Sequence, residues 1–196
     1  HVNIDFIPSN LFYSNGGLDE LAIDMTTEQD GMENLFILHN FIQDHRLEEK
    51  YDLIIFDCPP TNNLITQSGF LLSDYYIIPT IMDKVSTKGV KHYINTVHKI
   101  YEKYVANPDY AHFVRLVFGE NPKLLGVFET MRKGGSLPQG LSELGDTKVY
   151  ETVIKDLNAI SDALANGDIC REQWKYKDLA AEIMQDLDPS TVEVTL

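Results

Sequence analysis

At 196 residues, 43% of them hydrophobic, the chain is long enough for one sizeable core and short for two, so residues 1–196 read as a single domain. Sixteen Lys and Arg against thirty Asp and Glu leave a net charge of −14, which argues against a broad DNA-coating or anionic-membrane-coating surface but leaves room for a local basic patch. Two distant cysteines, Cys58 and Cys170, offer neither a disulfide framework nor a paired-cysteine metal site, so a reducing cytoplasm is the expected compartment; no apolar run approaches the ~18 residues of a membrane span.

His1 leads straight into VNIDFIP, a strand-like start without an initiator Met, so the chain is expected to be part of something longer. Residues 3–7 read as a strand closed by Pro8, and a loop follows through Ser9, Asn10 and the Gly16-Gly17 turn. Met32, Leu35, Phe36, Leu38, Phe41 and Ile42 recur at mostly helical spacing and predict a helix over 31–46. The next run, Leu53–Phe56, is continuous, apolar and rich in β-branched and aromatic types, as in a parallel strand covered on both faces. It ends on Asp57, and Pro59 and Pro60 then stop the ladder, because neither can donate a backbone hydrogen bond.

Thr61–Leu72 reads as a helix, 75–78 as a short strand closed by Pro79, and 86–104 as a long helix. A polar stretch holding Pro108 and Pro122 separates that helix from a strand at 124–130; a further strand at 149–154 precedes helices near 158–166 and 172–187. Strands alternating with helices predict an α/β fold with a mainly parallel sheet flanked by helices on both faces. Tyr75, Tyr76 and Trp174 are read as packing residues, and the histidines show no metal-binding spacing.

Two features bear on chemistry. In open α/β sheets ligands gather at the carboxyl ends of the strands, which is where Asp57 stands; the alternative is that Asp57 caps the following turn. Along the long helix, extended back by two positions, Lys84, Lys88, Lys91, His92, Lys99 and Lys103 share one face and Val90, Tyr93, Ile94, Val97, Ile100, Tyr101 and Tyr104 the other. The second face is core, whereas the lysine face suits either DNA phosphates or plain solvent.

YDLIIFDCPP at 51–60 resembles the strand with a terminal acid, D-x-P-P, of the ParA/MinD-type deviant-Walker ATPases. SGFLLSDYYIIPTIMDKVSTKGV at 68–90, LLGVFETM at 124–131, VYETVIKDLNAISDALANGDI at 149–169 and YKDLAAEIMQDL at 176–187 resemble further segments of that family in the same order. Within it, the ParA/Soj partition branch fits best. A MinD-like chain should end in a basic amphipathic helix, and this one ends DLDPSTVEVTL; an iron-protein relative needs paired cysteines, and a tyrosine-kinase relative a tyrosine cluster.

The resemblance implies a P-loop NTPase-like fold whose N-terminal unit is missing. It also implies binding and hydrolysis of ATP with Mg²⁺ in the intact protein, a homodimer, nonspecific DNA binding and a ParB-like centromere-binding partner. By resemblance, Asp57 holds a Mg²⁺-bound water near the γ-phosphate, while Thr130, Met131, Ile154, Lys155 and Asn158 approach adenine, and Lys84, Lys88 and Lys91 contact DNA. Lys155 stands where the family usually has proline, and Met131 and Ile154 are equally compatible with a core role. The family's KGGxGK[ST] phosphate turn is absent; RKGGSLPQG at 132–140 carries KGG, but Leu137 and Pro138 fill the places of Gly and Lys, and it follows a late strand. Nucleotide or metal is therefore not expected on this piece alone. Two functions follow: an ATPase whose P-loop lies upstream, or a nucleotide-independent dimerisation or partner-binding module.

Overall fold

The computed structural model describes residues 4–8, 20, 22–23, 33–59, 61–132, 140–155, 162–163, 165–167 and 174–187, and the chain divides into two compact units, His1–Leu72 and Ser73–Leu196.

In the first unit a 3-10 turn, Glu33–Phe36, runs into α1 (Ile37–Asp44), and a second 3-10 turn, Leu47–Glu49, lies ahead of α2 (Leu64–Leu72). The predicted helix over 31–46 thus forms with its first turn wound more tightly. Leu35 and Leu71 are fully buried, and the Ser68 hydroxyl donates to the Leu35 carbonyl at 2.7 Å, which ties the first 3-10 turn to α2 through a buried bond. The α2 start is set by Asn63, whose side-chain oxygen accepts the Thr66 amide at 3.0 Å. Gly69 brings this helix against the preceding segment: a Cβ there would lie 3.4 Å from the Cys58 sulfur.

Two expected strands do not form. Residues 4–7 and 53–57 carry no ladder among the described residues, and residue 3 lies outside them. Most of their apolar side chains stand in solvent, with Phe6 83% and Ile55 79% exposed, while Ile54 and Phe56 are half-buried. Apolar patterning supplies the propensity for a strand, but the hydrogen bonds come only from a neighbour, and no described segment pairs with either.

In the second unit β1 (Tyr75–Thr80), β2 (Lys123–Arg132) and β3 (Val149–Lys155) form a sheet in the order β1-β2-β3, both pairs parallel. Its connections are α3 (Lys84–Val105), α4 (Ala111–Phe118) and the short α5 (Leu141–Leu144), and α6 (Trp174–Asp186) follows. One face packs Tyr76, Ile78, Leu124, Val127 and Val149 against Val90, Tyr93 and Ile94 of α3 and Leu144 of α5. The other packs Ile77, Leu125, Phe128, Tyr150 and Ile154 against Leu179 and Ile183 of α6. Helices on both faces of a parallel sheet are the expected α/β architecture.

The sides of β2 do not alternate strictly, because the register slips between Tyr76–Leu124 and Ile77–Gly126, leaving Leu125 as an extra residue. Gly126 sits at that bulge where a Cβ would come 2.9 Å from the Tyr150 ring, so only glycine lets the aromatic close over β2. β1 continues through Pro79 to Thr80 instead of stopping there. β1 is an edge of this sheet, and Pro79 is solvent-exposed, a place where a missing N–H breaks no ladder bond.

The stretch read as a polar connection contains α4. Val114 and Phe118, one turn apart, are buried, the Tyr101 hydroxyl of α3 donates to the Gly119 carbonyl at 2.9 Å, and Gly119 ends the helix at φ +69°. Trp174, expected to pack, is largely exposed, with the Lys175 ammonium 4.2 Å from its ring centre.

β3 is held from its outer side. The Glu182 carboxylate of α6 accepts the Glu151 amide at 2.8 Å, the Thr152 amide at 3.0 Å and the Thr152 hydroxyl. Asp186, one turn on, pairs with Lys148 and accepts the Tyr150 hydroxyl at 2.7 Å. Side chains of α6 thus occupy donors of an edge strand that would otherwise face outward.

Candidate functional site

Parallel pairing brings the carboxyl ends of β1, β2 and β3 to one margin of the sheet. Thr80 lies opposite Glu129, and Arg132 lies opposite Lys155. Thr80 and Glu129 are buried, Thr130 is half-buried, and Lys155 is exposed. Glu129 and Arg132 form a fork: the Arg132 Nε donates to one carboxylate oxygen at 2.7 Å and Nη2 donates to the other. The carboxylate beside it raises the Arg132 pKa above the ordinary guanidinium value. Between the two partners Met131 adopts φ +55°, the left-handed region, and its side chain is 53% exposed.

Of the sequence-predicted base-site residues, the fold gathers Thr130, Met131, Ile154 and Lys155 on adjacent strand ends. Ile154 is only 2% exposed and packs with Tyr150 and Leu179, so its side chain is part of the core. Asn158 lies outside the described residues, as does 133–139 of the KGG turn. Asp57 belongs to the first unit, where it is exposed in an irregular segment; burial, and secondarily the Asp57 charge, push the neighbouring Cys58 thiol upward in pKa.

Lys84, Lys88 and Lys91 are all exposed on α3, whose opposite side carries buried Val90, Val97, Ile100 and Tyr104. Asp83 caps the helix by accepting the Val85 and Ser86 amides at 2.8 and 2.9 Å, and the Ser86 hydroxyl at 2.6 Å; these bonds hold its carboxyl below its usual pKa. A lysine in the first turn, Lys84, runs against the helix dipole that Asp83 satisfies.

Sequence reading missed Glu129 and Arg132. The available signal was an acid directly after the apolar run LLGVF, inside a strand. For a nucleotide, the strand ends offer a hydroxyl at Thr130, an exposed thioether at Met131 and an ammonium at Lys155, a set suited to a base and sugar. No phosphate cradle stands among the described residues, and none of their His, Cys, Asp and Glu side chains gather in threes as a metal site. Among the described residues no helix is long and apolar enough to cross a membrane.

Known proteins resemble the chain along most of its length. A family model described as an AAA domain matches residues 1–110. The cell division protein PomZ of Myxococcus xanthus is 30% identical over 100 residues, covering 51% of this chain and 28% of that protein. The sporulation initiation inhibitor protein Soj of Bacillus subtilis is 26% identical over 144 residues, covering 70% of this chain and 53% of Soj. The virulence plasmid ParA family protein pGP5-D of Chlamydia psittaci is 25% identical over 167 residues, covering 81% and 57% respectively. The chain therefore spans between 28% and 57% of the length of these relatives. With more than half of its residues inside the family model, and relatives of the ParA/Soj type aligning along much of the rest, the chain belongs to the AAA domain family and, within it, to the ParA/MinD-type ATPases.

Proposed function

We propose that the intact protein is a ParA-like ATPase that binds and hydrolyses ATP with Mg²⁺ to drive partitioning of plasmid or chromosomal DNA, in the cytoplasm, as a homodimer with a ParB-like partner. The observation that carries this reading is the gathering of Thr130, Met131 and Lys155 at one margin of a parallel sheet in a chain of this family. Phosphoryl transfer needs positioning and charge stabilisation more than covalent chemistry from the protein. In this reading the strand-end residues hold base and sugar, Asp57 orients a water on the metal, and an upstream P-loop supplies the phosphate cradle. Lys84, Lys88 and Lys91 supply part of the DNA surface, together with basic residues from upstream.

A second reading, a nucleotide-independent dimerisation or partner-binding module, is favoured by the exposed apolar residues Ile4, Phe6, Ile7, Leu53 and Ile55. The complete reading frame separates the two: the first reading requires KGGxGK[ST] about a hundred residues before His1. Steady-state phosphate release from that longer protein should require Mg²⁺ and be lost in Asp57→Ala, while the 196-residue chain alone shows none. Magnesium-dependent turnover by the short chain, abolished by the same substitution, would overturn the assignment.

A further inference from the structure

We infer that Glu129 and Arg132 are positioning residues: their ion pair latches Met131 in its left-handed conformation and so shapes the β2 terminus that receives the base of a bound nucleotide. The inference rests on the nucleotide reading proposed above.

In a regular strand, residues three apart point to opposite faces. Glu129 and Arg132 are three apart, yet their side chains meet in a two-pronged fork. They meet because the backbone alternation is broken between them, at Met131 with φ +55°. Methionine has no intrinsic reason to take this conformation: its Cβ is crowded there, and a thioether cannot make the local hydrogen bonds that let Asn or Asp tolerate it. Such a backbone persists only where the surroundings over-determine it.

The surrounding constraint is the fork. The Glu129 side chain is only 8% exposed, so its carboxylate has lost its water and must be paired; the Arg132 side chain, 26% exposed, brings a planar guanidinium that matches both oxygens at once. A lysine could offer the charge but not the two parallel bonds.

The latch has a second effect at the sheet margin. Arg132 and Lys155 are register partners, and Arg132 is committed to Glu129. Lys155 makes no ion pair among the described residues and stands exposed on the strand end beside that of Met131. A soft, polarizable thioether on one strand end and a donor-only ammonium on the adjacent one suit a flat heteroaromatic ring bearing acceptor atoms, which is the chemistry of a nucleobase.

The test uses the 196-residue chain with ¹³C-methyl methionine, whose five methyl signals include Met131, and adenosine as a probe that needs no phosphate cradle. Without ligand, both Glu129→Gln and Arg132→Lys should shift and broaden the Met131 signal while leaving Met82, which is buried in the core, in place. With adenosine, the wild-type Met131 signal should move saturably, and both variants should bind at least about fivefold more weakly, a difference of roughly 1 kcal/mol. An unchanged ligand-free Met131 signal in both variants would overturn the latch, whatever the ligand does. Equal adenosine affinity in all three proteins would overturn the positioning role. A ligand-free shift as expected, with no adenosine response even in the wild type, would instead bring down the nucleotide reading and the base-positioning claim with it.

Discussion

Replacing Glu182 by alanine tests how an edge strand is secured by a helix side chain. The carboxylate serves three donors: the amides of Glu151 and Thr152 at 2.8 and 3.0 Å, and the Thr152 hydroxyl. These losses are unequal. Glu151 is an exposed residue, so water takes over its amide at almost no cost. Thr152 is 5% exposed, and its amide is left buried without a partner, which costs about 1–3 kcal/mol. Its hydroxyl can rotate towards another acceptor, so its share is smaller. The expected loss is about 2–3 kcal/mol, and for a chain of this size it lowers the thermal midpoint by about 4–12 °C. Glu182→Gln keeps one acceptor oxygen and should lose about half as much. Circular dichroism melts give the midpoint, and amide hydrogen exchange should show Thr152 deprotected ahead of the central strand residue Val127. A midpoint within about 1 °C of wild type, with Thr152 exchanging at its original rate, would refute the claim that α6 secures this edge.

The acid limb of stability should carry the signature of Asp186, whose carboxyl is held below its ordinary value of 3.8 chiefly by the hydrogen bond from Lys148 and then by that from Tyr150. A depressed folded pKa contributes stability above the unfolded value and loses it as pH falls through the folded one, so the midpoint difference between wild type and Asp186→Asn should be steady at about pH 5–7 and shrink below about pH 4. A difference that is flat throughout would remove Asp186 from that limb. Reversing Lys84, Lys88 and Lys91 to glutamate in the DNA-binding form of the intact protein should leave the fold within about 0.5 kcal/mol per site. It should weaken DNA binding and reduce the salt slope by roughly one unit for each phosphate no longer neutralised, whereas an unchanged salt titration would assign this face to solvent.

The elements that periodicity alone revealed were those whose stability is mostly their own burial. The strands at β1, β2 and β3 and the 22-residue helix α3 carry long apolar patterns, and each formed within a few residues of its expected bounds. The runs at 4–7 and 53–57 carry equally strong patterns, but a strand is completed by a neighbour, which a linear pattern cannot supply. Helix α4 was hidden for the opposite reason: its buried face is only Val114 and Phe118, too short a repeat to stand out between two prolines. The fork at the end of β2 was illegible because strand geometry puts Glu129 and Arg132 on opposite faces, and nothing in the residue type of Met131 announces a positive φ. Thr130 and Met131 were singled out only through the ordered resemblance to a family, whereas Asp57 drew notice first as the acid that ends an apolar run.

The parallel arrangement also sets a timetable for the chain as it is made. The register partners Tyr75 and Lys123 are about 50 residues apart, with all of α3 and α4 between them. At a synthesis rate of roughly 5–20 residues per second, β1 leaves the ribosome several seconds before β2 exists to pair with it. Until then Tyr76 and Ile78 have only α3 to lie against, Ile77 faces the side that α6 covers later, and the strand's backbone donors and acceptors have only water. The nascent protein thus passes through an interval in which an unpaired, aromatic-rich edge is open to other chains, so a holding chaperone or a lower expression temperature should raise the folded yield.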